Sequence, residues 1–393
     1  MEGRKSQVTV DRPYPSPLSV AGAIAVGTAA LMILGLQPIL LGALTEEHRL
    51  SIAELGRLAT VENLALAASS AIGTALMGGK GLRLKTSAAC AALGAVNAAV
   101  YVAADGTQLF ILRALAGALE GLMLGGAIVI LTATARPDRV NGLFLAVQTV
   151  PQMIAAYLLP VSVIPRWGAN SGFALLGMMA LLSIAGAAVL RAPADPARRR
   201  TATRAPATLP TLLALVAVVA QNAGIGGAWN YVEQAGSLGG FDSGTIGLAL
   251  SASLAAQIAG AFFVAWLAWR APYRIVLPLG IALQACIVLL LAHAASGALY
   301  VAAASGFGLL WLGLQPFQVR QLIGLDHTRR AALLVVPLAL TGLSLGPVAV
   351  SFAVRADDVG GAFRVACGFL VLSAVLFQVA ARLGPVSAEH AHE

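Results

Sequence analysis

Charge is what this chain has least of. Only 11% of its 393 residues are Asp, Glu, Lys or Arg, while 59% are hydrophobic. Mean hydropathy is +0.84. A soluble domain of this length needs far more charge to cover its surface, so that class is excluded. Cysteine is scarce too. Cys90, Cys286 and Cys367 stand singly inside apolar runs, which leaves neither a disulfide framework nor a metal cluster. They read as small packing residues. There are five histidines and no His-x-x-x-His pair. No phosphate-binding glycine loop is present, so direct nucleotide drive has no motif to rest on. His293 reads as an interfacial residue.

What is present is apolar sequence in long runs. About 20 such residues are needed to cross the hydrocarbon core. Twelve runs meet that need, near 18–43, 53–78, 85–104, 107–133, 140–163, 169–190, 209–233, 244–269, 274–293, 298–322, 331–354 and 361–382. The ninth and tenth share one uncharged stretch, with Ala295-Ser296-Gly297 as the natural turn. The expected fold class is an all-α polytopic membrane protein with two sets of six helices. Its units are a tail 1–16, a first lobe 17–190, a basic linker 191–208, a second lobe 209–383 and a tail 384–393. The linker is rich in proline and arginine and reads as a hinge. The net charge of +8 points to anionic lipid headgroups rather than nucleic acid. With the N-terminus inside, 19 basic residues fall on the cytoplasmic side and five outside: Arg49, Arg57, Arg166, Arg355 and Arg364. Both termini are therefore expected in the cytoplasm. Gly35 and Ser51–Gly56 can also be laid over Gly226 and Asp242–Gly247 without a gap. Paired six-helix repeats recur in secondary transporters.

Twelve spans, a basic central loop and a six-plus-six plan resemble the major facilitator superfamily. After the second helix, Gly78-Gly79-Lys80-Gly81-Leu82-Arg83-Leu84-Lys85 occupies the place of that family's Gly/Asp/Arg-rich gate loop, with Gly78, Gly79 and Arg83 as its candidate gate residues. The acidic residue usual there is missing, and with it one half of the usual gate ion pair. Arg113-Ala114-Leu115-Ala116-Gly117 matches the family's Arg-x-x-x-Gly pattern in the fourth helix. The glycine-proline motif of its drug/proton antiporters is absent from the fifth helix. A partial version, Gly342-Leu343-Ser344-Leu345-Gly346-Pro347, stands in the eleventh. Gly117, Gly346 and Pro347 are thus gate candidates by resemblance. The resemblance implies alternating access in a bacterial inner membrane, with no cofactor.

Ionisable groups inside a membrane cost a few kcal/mol each and are functional candidates by default. Glu62 lies in the second helix, while Arg113 and Glu120 share one face of the fourth, two turns apart. Each carboxylate is read either as a proton carrier or as a partner of Arg113. Arg113 is read as an anchor for an anionic substrate or as the counter-ion. Pairing with one carboxylate would leave the other over, which a proton carrier requires. Glu233, beside Trp229, Asn230 and Tyr231 near the expected end of the seventh helix, lines the substrate path or sits at the headgroups. Gln37, Gln148, Gln152, Gln221, Asn222, Gln257, Gln315 and Gln318 must point inward, as substrate contacts or as glue between helices. Pro38 and Pro316 each break a backbone hydrogen bond, forming a carbonyl site or a static kink.

The function expected is secondary transport of a small organic solute, coupled to protons, by a monomer with membrane lipids as its other partners. The alternatives are a sensor or assembly partner of the same fold and a membrane-embedded enzyme. No nucleophile, base or metal set is spaced for the last. Glu62→Gln and Glu120→Gln are both expected to leave folding intact.

Overall fold

The computed structural model describes residues 14–77, 80–103, 106–191, 208–267, 272–326, 330–355 and 357–384. Gly78, Gly79, all but the ends of the linker, and most of both tails lie outside the described residues.

Among the described residues, twelve helical rods follow one another. The first half holds α1 (Pro17–Glu46), α2 (Ile52–Met77), α3 (Leu82–Ala99), α4 (Gly106–Leu131), α5 (Pro137–Leu158) and α6 (Asn170–Ala188). A π turn, Leu159–Val163, and a last turn, Ile164–Trp167, prolong α5. The second half holds α7 (Leu209–Leu238), α8 (Ser243–Leu267), α9 (Tyr273–Ala292), α10 (Gly297–Gly313, continued by Gln315–Leu325), α11 (Arg330–Leu333 and Val335–Ser351) and α12 (Gly360–Leu383).

Local chemistry sets the ends of these rods. Ser16 caps α1 by accepting from Ser19 N at 3.2 Å, and Pro17 fills a position that needs no donor. Ser51 and Glu54 exchange bonds at the start of α2, a capping box. Asp242 plays the same part for α8, accepting from Gly244 N at 2.9 Å and Thr245 N at 3.0 Å. Donors from Thr245 hold this exposed carboxyl below its usual range. Ser296 caps α10, so the long uncharged stretch divides at the expected turn.

Nine helices among the described residues are long and apolar enough to cross a membrane; the main segment of α11, Val335–Ser351, is apolar but shorter. The helices α2 and α3 are not among the nine. Glu54, Arg57 and Glu62 interrupt the first, and Arg83 and Lys85 open the second. The seventh helix corrects the expected boundary. It runs on to Leu238 rather than stopping at 233, which puts Glu233 inside the helix. At 1.5 Å per residue, the 30 residues of α1 and of α7 reach roughly 45 Å, longer than the hydrocarbon core. Many large apolar side chains, among them Leu84, Leu182 and Phe262, point outward. A surface of that kind suits lipid and not water.

Each half packs on itself. In the first half α1 lies against α4, α5 and α6, α2 against α4, and α3 against α6. In the second half α7 lies against α11 and α12, α8 against α10, and α9 against α12. The halves meet through α2 on α11, α5 on α8 and α1 on α7.

Candidate functional site

Two buried polar networks lie in the core, one in each half. In the first half, Arg113 on α4 reaches Glu62 on α2, Nη1 to Oε1 at 3.1 Å, with both side chains fully enclosed. Its other arm donates to Asn97 Oδ1 on α3 at 2.9 Å. The guanidinium also lies over the Phe173 ring of α6, 4.6 Å from the centroid. Gln37 on α1 donates to the free Glu62 oxygen at 3.2 Å, and Asn63 Nδ2 donates to Gln37 Oε1 at 2.9 Å. One ion pair is thus held by five of the six rods of this half. Gly117 makes the approach possible, since a methyl group there would strike the Glu62 carbonyl.

Glu120 lies two turns further along α4 and is also buried. Its Oε2 has no donor within reach. Of the two carboxylates that could have paired with Arg113, the structure pairs Glu62 and leaves Glu120 over.

In the second half, three amides form a chain. Gln318 on α10 donates to Gln221 on α7 at 2.6 Å, and Gln221 donates to Gln284 on α9 at 3.1 Å. Gln318 Oε1 and Gln284 Nε2 are left without partners, as is Gln257 Nε2 on α8. Asn222 and Asn230 each donate to a carbonyl of their own helix, four residues back, at 2.9 Å. Gln152 donates to Leu31 O on α1 at 2.6 Å and so glues α5 to α1. Gln148 bonds its neighbour Thr149 and keeps Oε1 unpaired, while Gln315 is half-buried beside Pro316.

A third set of contacts joins the halves, at the face opposite the first and last helix ends. Trp229 Nε1 on α7 donates to Leu34 O on α1 at 2.9 Å. That carbonyl lost its helical donor because the residue four places on is Pro38, which has no N–H. Val348 N, just past the α11 proline Pro347, donates across to Thr60 Oγ1 on α2 at 2.9 Å. Tyr231 OH donates to Ile52 O at 3.1 Å, and Gln234 Nε2 to Thr45 Oγ1 at 2.7 Å. Gly56 rests on the Pro347 carbonyl with no room for a side chain. Trp229 in turn stacks on Phe307 and meets Trp311 edge-on, 5.6 Å between centroids.

No protein-family model and no curated protein sequence matches this chain. Solved structures do. A mutant form of the nucleoside transporter NupG superposes with a TM-score of 0.74 at 12% identity, over 92% of this chain and 99% of that one. A bacterial homologue of the human lysosomal transporter Spinster, inward-facing and unoccupied, gives 0.71 at 15% identity, over 94% and 98%. The unmutated NupG gives 0.69 at 12%, over 93% and 99%. The fold is that of the major facilitator transporters. All three neighbours are named as transporters or transporter homologues.

Within the facilitator fold the remaining candidates have clear places. Trp229 and Tyr231 are buried between the halves. Glu233 is largely buried too, against Gly42 of α1. Arg83 donates to Leu190 O at 2.6 Å, within its own half. Gly346 lies against Ala223 of α7, also within one half. Sequence reasoning passed over Asn63, Asn97, Gln284, Thr60 and Gln234. The first three carried the same signal as the amides that were named, a polar group in an apolar run. Thr60 carried none, because a threonine hydroxyl readily bonds its own helix.

Proposed function

We propose that this chain is a secondary active transporter of a small organic solute, in which two six-helix lobes rock about a central site and Glu120 carries the coupling proton. The observation that carries this reading is the unpartnered Glu120 oxygen beside a Glu62 whose two oxygens are both engaged, one by Arg113 and one by Gln37. A carboxylate engaged on both oxygens, one of them by a guanidinium, is held in its charged form. A lone carboxyl two turns away gains most from changing its protonation as its surroundings change. The matched packing of the two halves supports twelve crossings and two repeats, including α2, α3 and α11, which hydropathy alone does not mark.

The basic residues favour a cytoplasmic position for both termini. The halves would then be joined on the outer side and hinged for access from the cytoplasm. The neighbours named as nucleoside and Spinster-type transporters support an organic solute. The unpaired amides of the second half suit a solute with both donors and acceptors.

A thermal-shift screen of the purified protein against metabolites would supply a ligand. Uptake of that ligand into proteoliposomes should then rise with an inward-directed proton gradient. The Glu120→Gln variant should bind the ligand and exchange it, but lose the response to the gradient. An undiminished response in that variant would remove Glu120 from the proton path.

A further inference from the structure

At the face where the halves are joined lies a cavity of about 420 Å³, built by both of them. Ile39 of α1, Pro160 and Ile164 beyond α5, and Phe241 and Ile246 around the start of α8 give it an apolar wall. Glu233 of α7 lines it and is only 7% exposed. One Glu233 oxygen, Oε2, accepts from Gln234 Nε2 at 2.8 Å. The other, Oε1, has no hydrogen-bond partner. Glu46 and Glu47 stand at the same cavity, and none of the lining residues is basic. Glu47 is already engaged, with Ala169 N at 2.7 Å and Arg49 at 3.8 Å. Glu46 accepts only a long bond, 3.4 Å, from Ser237.

Such a site selects for positive charge. The side chain is largely buried but its free oxygen opens on the cavity, where a cationic donor is the partner that forms the strongest hydrogen bond to a carboxylate. A divalent metal does not fit. It needs several oxygens converging at about 2.0–2.6 Å, and no three acidic, His or Cys groups converge so among the described residues. A cation with an apolar body fits both the free Glu233 oxygen and the apolar wall. The cavity lies in the size range of small-molecule sites.

We propose that this cavity binds a small organic ammonium ion with an apolar body, held by Glu233. Because its walls come from both halves, the bound amine holds them together at this face. The inference concerns binding and does not depend on flux.

The test is calorimetric titration of the full-length protein in detergent with phenethylammonium and, separately, with its neutral counterpart 2-phenylethanol. The ammonium should bind saturably, and the alcohol at least tenfold more weakly. Glu233→Gln should weaken the ammonium at least tenfold. Ser243→Trp, which fills the cavity mouth and keeps Glu233, should do the same. No binding to the unaltered protein overturns the proposal. So does equal binding of the two probes, which would mark a merely apolar pocket. Unchanged ammonium binding in either variant also overturns it, since the amine would then sit elsewhere or in the micelle.

Discussion

At the scale of single residues, the structure separates two glutamates that look alike in the chain. Glu62 is held by Arg113 and Gln37. Glu120 leaves an oxygen unpaired. Removing one member of a buried ion pair strands the other charge, at about 3–5 kcal/mol. Glu62→Gln is therefore expected to unfold well below the unaltered protein in a thermal denaturation series. Glu120→Gln strands nothing and should unfold at the same temperature or higher. The expectation from sequence that both variants fold normally is revised on this ground. Equal melting of all three proteins would show that Arg113 finds another partner once Glu62 is neutral. The choice of partner was hidden in the sequence. Arg113 shares a face with Glu120 on its own helix, and only the crossing of α2 over α4 brings Glu62 nearer.

At the scale of elements, the two cross-half bonds beside prolines tell how a helix lends its backbone to another. Pro38 leaves Leu34 O without a helical donor, and Trp229 supplies one. Pro38→Ala should restore the donor within α1 and make Trp229 compete for the carbonyl. A typical net hydrogen bond is worth about 1 kcal/mol, enough to shift a two-state balance about fivefold. A cysteine placed at Ser351, buried where α11 meets α2 and α7, should then react faster with a maleimide in the Pro38→Ala background. An unchanged rate would make Pro38 a static kink. The helices themselves were legible. Ser16, Ser51, Asp242 and Ser296 mark starts through contacts within three residues. The overrun of α7 to Leu238 was less legible, because Gly226 and Gly227 look like breakers. In the structure they pack closely against α11 and leave the helix whole.

At the scale of the whole molecule, two similarly packed halves are joined at one face. If alternating access operates, that face must open. Cysteines replacing Thr60 and Val348, where the Val348 backbone N lies 2.9 Å from Thr60 Oγ1 across the joint, should cross-link on oxidation. Flux through the reconstituted protein should stop on oxidation and return on reduction. Full flux in the cross-linked protein would rule out motion at this joint.

The amino-acid sequence by itself determined the helical rods, their capped starts, the scarcity of charge and the need to hide what charge there is. Apolar periodicity and capping act over three or four residues, so they can be read along the chain. Only the tertiary structure decided which glutamate keeps a free oxygen, which carbonyl meets Trp229 and which face is joined. Those outcomes depend on how helices far apart in sequence cross and turn toward one another, and no local pattern records that geometry.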